Sequence, residues 1–133
     1  MSKLVSLVAV IVLALAVAAP AMAGKPPKGG GSAANGTIKL VLLNSTDGVA
    51  HYGQNVRFDV STTATTEPWV SLKCYQRRTL VAQGSEGYFE GALSDGVFGL
   101  YSGAWSGGAA DCTANLTKPD GSVLATTSFH VEA

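Results

Sequence analysis

Two cysteines, two tryptophans and two histidines are the scarce reactive or recognition side chains of this 133-residue chain. Their spacing limits the chemistry open to it. His51 and His130 are the only imidazoles, and neither stands in a His-x-His or His-x-x-x-His pattern, so a zinc centre lacks its convergent ligands. His51 follows the first apolar stretch beside Tyr52, and His130 falls on the polar side of the last stretch with Thr126 and Ser128. Both read as exposed side chains. A serine nucleophile raised on a sharp elbow would appear as Gly-x-Ser-x-Gly, which is absent. Glu86 and Glu90 flank Gly87-Tyr88-Phe89. Strand alternation would set both on one solvated face, not on either side of a scissile glycosidic bond. Asp47, Asp95 and Asp120 each precede a glycine and read as turn residues. The expectation is a protein that is not an enzyme and carries no catalytic residues, metal or cofactor.

The cysteines are positioned by two strand-like stretches. In Trp69–Gln76, WVSLKCYQ, a period of two places Val70, Leu72 and Cys74 on one side and Trp69, Ser71, Lys73 and Tyr75 on the other. In Ala110–Thr117, ADCTANLT, Ala110, Cys112, Ala114 and Leu116 share a side, opposite Asp111, Thr113 and Asn115. The cysteine sides are apolar, so both thiols are expected to face the core. In an exported chain such a pair is expected to be a disulfide, Cys74–Cys112. A thiol–disulfide catalyst would call for Cys-x-x-Cys or an exposed, acidified thiol.

Other short apolar stretches recur from Thr37 onward: Thr37–Asn44, Asn55–Thr63, Thr79–Ser85, Gly87–Leu93, Gly96–Ser102 and Ser122–Ala133. Turn signals such as STDG, SDG and KPDG separate them, and Val, Thr, Phe and Tyr are frequent within them. No segment has a sustained helical period. The expected fold is an all-β antiparallel sandwich of seven or eight strands over residues 37–133, with a small barrel as the alternative. Pro119 and Asp120-Gly121 predict a tight turn joining Ala110–Thr117 directly to Ser122–Ala133.

The chain begins with Lys3, an apolar run from Leu4 to Ala19, Pro20, and Ala21-Met22-Ala23. This is the layout of a signal peptide over residues 1–23. The apolar run is shorter than the ~20 residues a membrane span needs; a retained anchor is the alternative. Residues 24–36, GKPPKGGGSAANG, have too little apolar content to fold and read as a flexible tether. Formal net charge is zero, and loss of Lys3 with the leader leaves about −1. No basic excess is available for a nucleic-acid backbone, and no later apolar run would hold the exported chain in a membrane. Sequons stand at Asn35, Asn44 and Asn115.

The strand order, with Cys112 on the penultimate strand in the setting Asp111-Cys112-Thr113-Ala114, resembles an immunoglobulin-like domain over Thr37–Ala133, in the manner of small secreted bacterial immunoglobulin-like proteins. The chain departs from the antibody pattern. Asn55–Val60, the second-strand candidate, has no cysteine; Cys74 sits on the third; and Ala110 stands where a tyrosine is expected. The resemblance implies that the two cysteine strands are neighbours in one sheet, so the disulfide would be a rung within that sheet. It also implies an exposed sheet face carrying Trp69, Lys73, Tyr75 and Arg77 from one strand, Asp111, Thr113 and Asn115 from the next, and Thr126, Ser128 and His130 from the last. Amphipathic aromatics with arginine suit binding surfaces. Trp105, in SGAWSGG, is either a loop platform for a ligand or a plug over the end of the core. The expected role is non-catalytic binding outside the cell by a monomer, to an extracellular protein or polysaccharide, with a cell-wall-binding module and a peptidase inhibitor as the alternatives.

Overall fold

Alternation of small or apolar residues with polar ones decides the inward side of the longer strands. The computed structural model, which describes residues 30–33 and 35–133, has nine strands among them. They are β1 (Gly30–Ala33), β2 (Gly36–Leu42), β3 (Ala50–His51), β4 (Asn55–Ser61), β5 (Trp69–Gln76), β6 (Thr79–Gly87), β7 (Phe98–Gly99), β8 (Ala110–Thr117) and β9 (Val123–Glu132). One sheet has the order β1-β2-β4-β7 and the other β3-β9-β8-β5-β6. The chain is therefore an all-β sandwich. Every ladder is antiparallel except the short β3–β9 pair. The signal-peptide reading and most of the tether reading lie outside the described residues.

The core fills the space between the sheets. Ile38, Val56 and Phe58 enter from the first sheet, and Val70, Leu72, Leu116, Phe129 and Val131 from the second, all buried. Phe58 is central: its ring lies 5.7 Å from that of Phe98 and 6.2 Å from that of Phe129. Each fully buried side chain of this size stabilises by about 1.5–3 kcal/mol relative to exposure. The inward sets expected for β5 and β8 are the observed ones. Cys74 and Cys112 are direct cross-strand partners, both buried, and form a disulfide.

The KPDG turn closes β8 onto β9 as its residues require. Gly121 takes a φ of 89° and donates to the Lys118 carbonyl at 3.0 Å, while the Asp120 carboxylate accepts from Ser122 N–H at 2.9 Å. Four features depart from the sequence reading. Gly87–Leu93 is not a strand: β6 runs on to Gly87 and the chain then loops through residues 88–97. Gly91, at a φ of 90°, turns it away, and Tyr88 takes over the role of a strand partner. Its hydroxyl accepts from the Phe58 N–H on β4 at 3.2 Å and donates to the Gly96 carbonyl. Gly96–Ser102 contributes only the two residues of β7. Ala50–His51, read as loop, runs parallel to the end of β9. Finally, Gly30–Ala33, within the stretch read as a tether, pairs with β2 from Gly30↔Lys39 to Ala33↔Gly36. A ladder uses main-chain groups alone, so low apolar content does not forbid it.

Candidate binding face

With alternate residues turned inward, the remaining side chains of β5, β8 and β9 form one outer face, arranged in rows by the ladder register. Tyr75, Asp111 and His130 make the first row, and Lys73, Thr113 and Ser128 the second. Ser71, Asn115 and Thr126 make the third, and Trp69, Thr117 and Val123 the row beside the β8–β9 turn. Apart from the exposed Lys73 ammonium, the middle of the face is uncharged, and its hydroxyl and amide groups pair with one another. The Thr113 and Ser128 hydroxyls lie 3.1 Å apart, and Thr126 donates to the Asn115 side-chain carbonyl at 2.7 Å. At one end His130 Nδ1 meets Asp111 Oδ1 at 2.7 Å, with Glu132 at 4.0 Å from Nε2. Exposed pairs of this kind contribute about 0–1 kcal/mol. At the other end stands Trp69.

Trp69 is half-buried. The ring of Phe89, from the 88–97 loop, packs edge-on at a centroid distance of 5.9 Å and 62°. Beside the indole lies an open depression of about 400 Å³. Ser71 and Ser85 line it from the sheet, Thr117 from the end of β8, and Lys118, Pro119 and Gly121 from the turn. Tyr75 and Lys73 are exposed along the same strand. Arg77 follows in the two-residue turn to β6, where it is the one non-glycine among the described residues with a positive φ, 60°.

The structure gathers Trp69, Lys73, Tyr75 and His130 on this face and removes Trp105 from it. Trp105 is 1% exposed and cannot serve as a platform for a ligand. Its indole N–H donates to the Gly108 carbonyl at 3.0 Å, and the Tyr52 ring lies 5.4 Å away while the Tyr52 hydroxyl donates to the Trp105 carbonyl at 3.0 Å. A large ring closed in by glycine-rich backbone covers the end of the core, which is the plug of the two readings.

Sequence reasoning missed several participants. Ser85 and Phe89 reach the Trp69 end only because β6 extends to Gly87 before the chain turns back. Leu93, at the outside of the 88–97 loop, is fully exposed. The Ser94 hydroxyl, bonded at 3.2 Å to the Gly87 N–H, pins that loop at its base. Glu86 lies in β6 and Glu90 in the loop beyond it, so they share no strand face. His51 is not a free side chain: Nε2 lies 2.7 Å from Asp47 Oδ2, and Nδ1 faces the Ala133 carbonyl. The four-residue spacing across Gly48 was the only signal of that pair. The hydrogen bond from His51 holds Asp47 down at about 2, helped by the Val49 N–H, and the same bond raises His51. Burial of Tyr88 pushes its hydroxyl up to about 12, so it stays a neutral donor.

Among the described residues no group of three or more His, Cys, Asp or Glu is placed to hold a metal ion, and no helix is long and apolar enough to cross a membrane. The hydroxyl, amide and amine groups between an indole and a phenol can hold a ligand by hydrogen bonds and apolar contact. No protein-family model and no curated protein matches the chain.

Proposed function

We propose that the protein is a non-catalytic binding domain that works outside the cell, an immunoglobulin-like module presenting the β5–β8–β9 face to an extracellular partner. The observation that carries this reading is the face itself: an aromatic side chain at each end, Trp69 and Tyr75, with rows of hydroxyl and amide groups and one amine, Lys73, between them. Two further facts support it. The buried Cys74–Cys112 disulfide suits an oxidising compartment, and residues 1–23 have the layout of a signal peptide.

The test is retention of envelope and secreted material by the immobilised protein, compared with two variants. Thr113→Arg puts a bulky cation in the centre of the face, and Lys39→Glu changes the exposed side of the other sheet. Retention should fall with Thr113→Arg and persist with Lys39→Glu. Retention that ignores Thr113→Arg refutes the assignment of the face.

A second reading, peptidase inhibition, is favoured by one observation, the fully exposed Leu93 on a loop pinned by Ser94. Titration of secreted peptidases with the protein and with Leu93→Asp tests it. An inhibition that the substitution leaves intact, or no inhibition, removes it.

A further inference from the structure

Resting on that reading of the face, we infer that its ligand is a neutral polysaccharide chain, seated with one sugar ring against Trp69 and running along β5 towards Tyr75. The chemistry of the Trp69 depression selects the class. Its lining offers the indole, the hydroxyls of Ser71, Ser85 and Thr117, and a single cation, Lys118. No carboxylate lines it, so a cationic ligand would find no counter-charge there. Lys118 at the rim and Lys73 further along β5 are two separated cations, with the Asp111 carboxylate beside Tyr75, too few for a polyanion, which is held by several cations at once. A pyranose has what this lining complements: a ring face of C–H groups for the indole, and equatorial hydroxyls for the serine and threonine side chains. The volume, about 400 Å³, lies in the range of small-ligand sites.

A peptide fits the same place poorly. An extended peptide gains most of its affinity by main-chain hydrogen bonds to a free strand edge. β5 pairs along its length with β6 on one side and β8 on the other, so its backbone groups are already used. Recognition along β5 must therefore go through side chains; the edge of the sheet is β6, outside the rows of β5, β8 and β9.

The rows also set a length. Trp69 and Tyr75 lie on the same side of β5, six residues apart, which at about 3.3 Å per residue is ~20 Å. The intervening rows, Ser71–Asn115–Thr126 and Lys73–Thr113–Ser128, carry hydroxyl and amide groups with one amine. That span fits several sugar units rather than one.

The experiment is titration of the oxidised protein, followed by amide chemical shifts and tryptophan fluorescence. The probes are neutral oligosaccharides of one to eight units, α- and β-linked glucose, mannose and N-acetylglucosamine. At least one series should shift Trp69, Ser71, Ser85 and Thr117, with affinity rising with length until the ~20 Å track is filled. Trp69→Ala should weaken binding about tenfold or more, and Thr117→Val, which keeps the shape and removes the hydroxyl, roughly three- to tenfold. Tyr75→Ala should weaken only the longer oligomers. Absence of binding across the panel overturns the inference. If a secreted protein then perturbs the same rows, the binding-face reading stands and only the saccharide class fails. Saccharide binding that leaves Trp69 and its neighbours unshifted overturns both.

Discussion

Removing the disulfide should cost about as much stability as a small domain has to spare. Cys74 and Cys112 are separated by 38 positions. On the chain-entropy account, closing a loop of that length removes about 13 cal/mol/K from the unfolded chain, or about 4 kcal/mol at 25 °C. Both sites are buried to within 1% and lie on adjacent strands that the ladder already aligns. The ladder holds the backbone in place without the bond, so the entropic part of the effect falls on the unfolded chain, while loss of two buried sulfurs leaves a small cavity that adds to the cost. The cleanest perturbation is the double substitution Cys74→Ala/Cys112→Ala, since serine would add two hydroxyls to an apolar interior at about 1–3 kcal/mol each. Urea unfolding of the double variant and of the oxidised protein should differ by at least about 4 kcal/mol. The thermal midpoint should fall by roughly 15–30 °C for a domain of this size. A loss under about 1 kcal/mol would refute the argument. It would mean that β5 and β8 stay associated in the unfolded chain without the bond.

Tyr88→Phe removes the hydroxyl that joins the Phe58 N–H to the Gly96 carbonyl; the urea midpoint should report a loss of about 1–3 kcal/mol, and an unchanged midpoint would mean that water replaces the hydroxyl. Arg77→Gly should gain about 0.5–1 kcal/mol, because the left-handed conformation costs an L side chain about 1–2 kcal/mol and glycine returns part of that as unfolded-state entropy; a loss would place the arginine side chain in a stabilising contact. The Asp47–His51 pair predicts a pH window. Asp47, lowered from 3.8 to about 2, contributes stability that is full above 3.8 and is lost as pH falls towards 2. His51, raised above 6.5, contributes stability that is full below 6.5 and is lost as pH rises through its raised folded value. The difference in thermal midpoint between the protein and Asp47→Asn should therefore be greatest between about pH 4 and 6.5, and a flat difference across pH 2–8 would break the assignment.

The legible part of the fold is the part governed by side-chain alternation. β5, β8 and β9 follow from it with their inward sets, and so do the disulfide and the turn at Asp120-Gly121. Alternation cannot see main-chain pairing that needs no particular side chain, which is why Gly30–Ala33 and Ala50–His51 read as loop. It also misreads a stretch whose glycines permit a reversal. Gly87–Leu93 has the aromatic content of a strand, yet Gly91 takes a conformation that a strand does not use. The outer face was legible for the same reason as the core, since one register fixes both sides of a strand. The Trp69 depression was not, because Ser85, Phe89 and the 118–121 turn come to it from other parts of the chain. Trp105 could be read either way from SGAWSGG, and its burial depends on Tyr52, 53 residues earlier.

The rung between β5 and β8 has a mechanical consequence. Tension applied at the two ends of the molecule can strip β1, β2, β3 and β4 from one side and β9 from the other, but the force path then crosses directly from Cys74 to Cys112. The 38-residue separation between them, which spans the whole of β6 and β7, stays outside the loaded chain. At about 3.4 Å per residue this shortens the fully extended length by roughly 130 Å. An oxidised molecule under load is thus a short tether with a slack inner loop, and reduction of one bond releases that length at constant force.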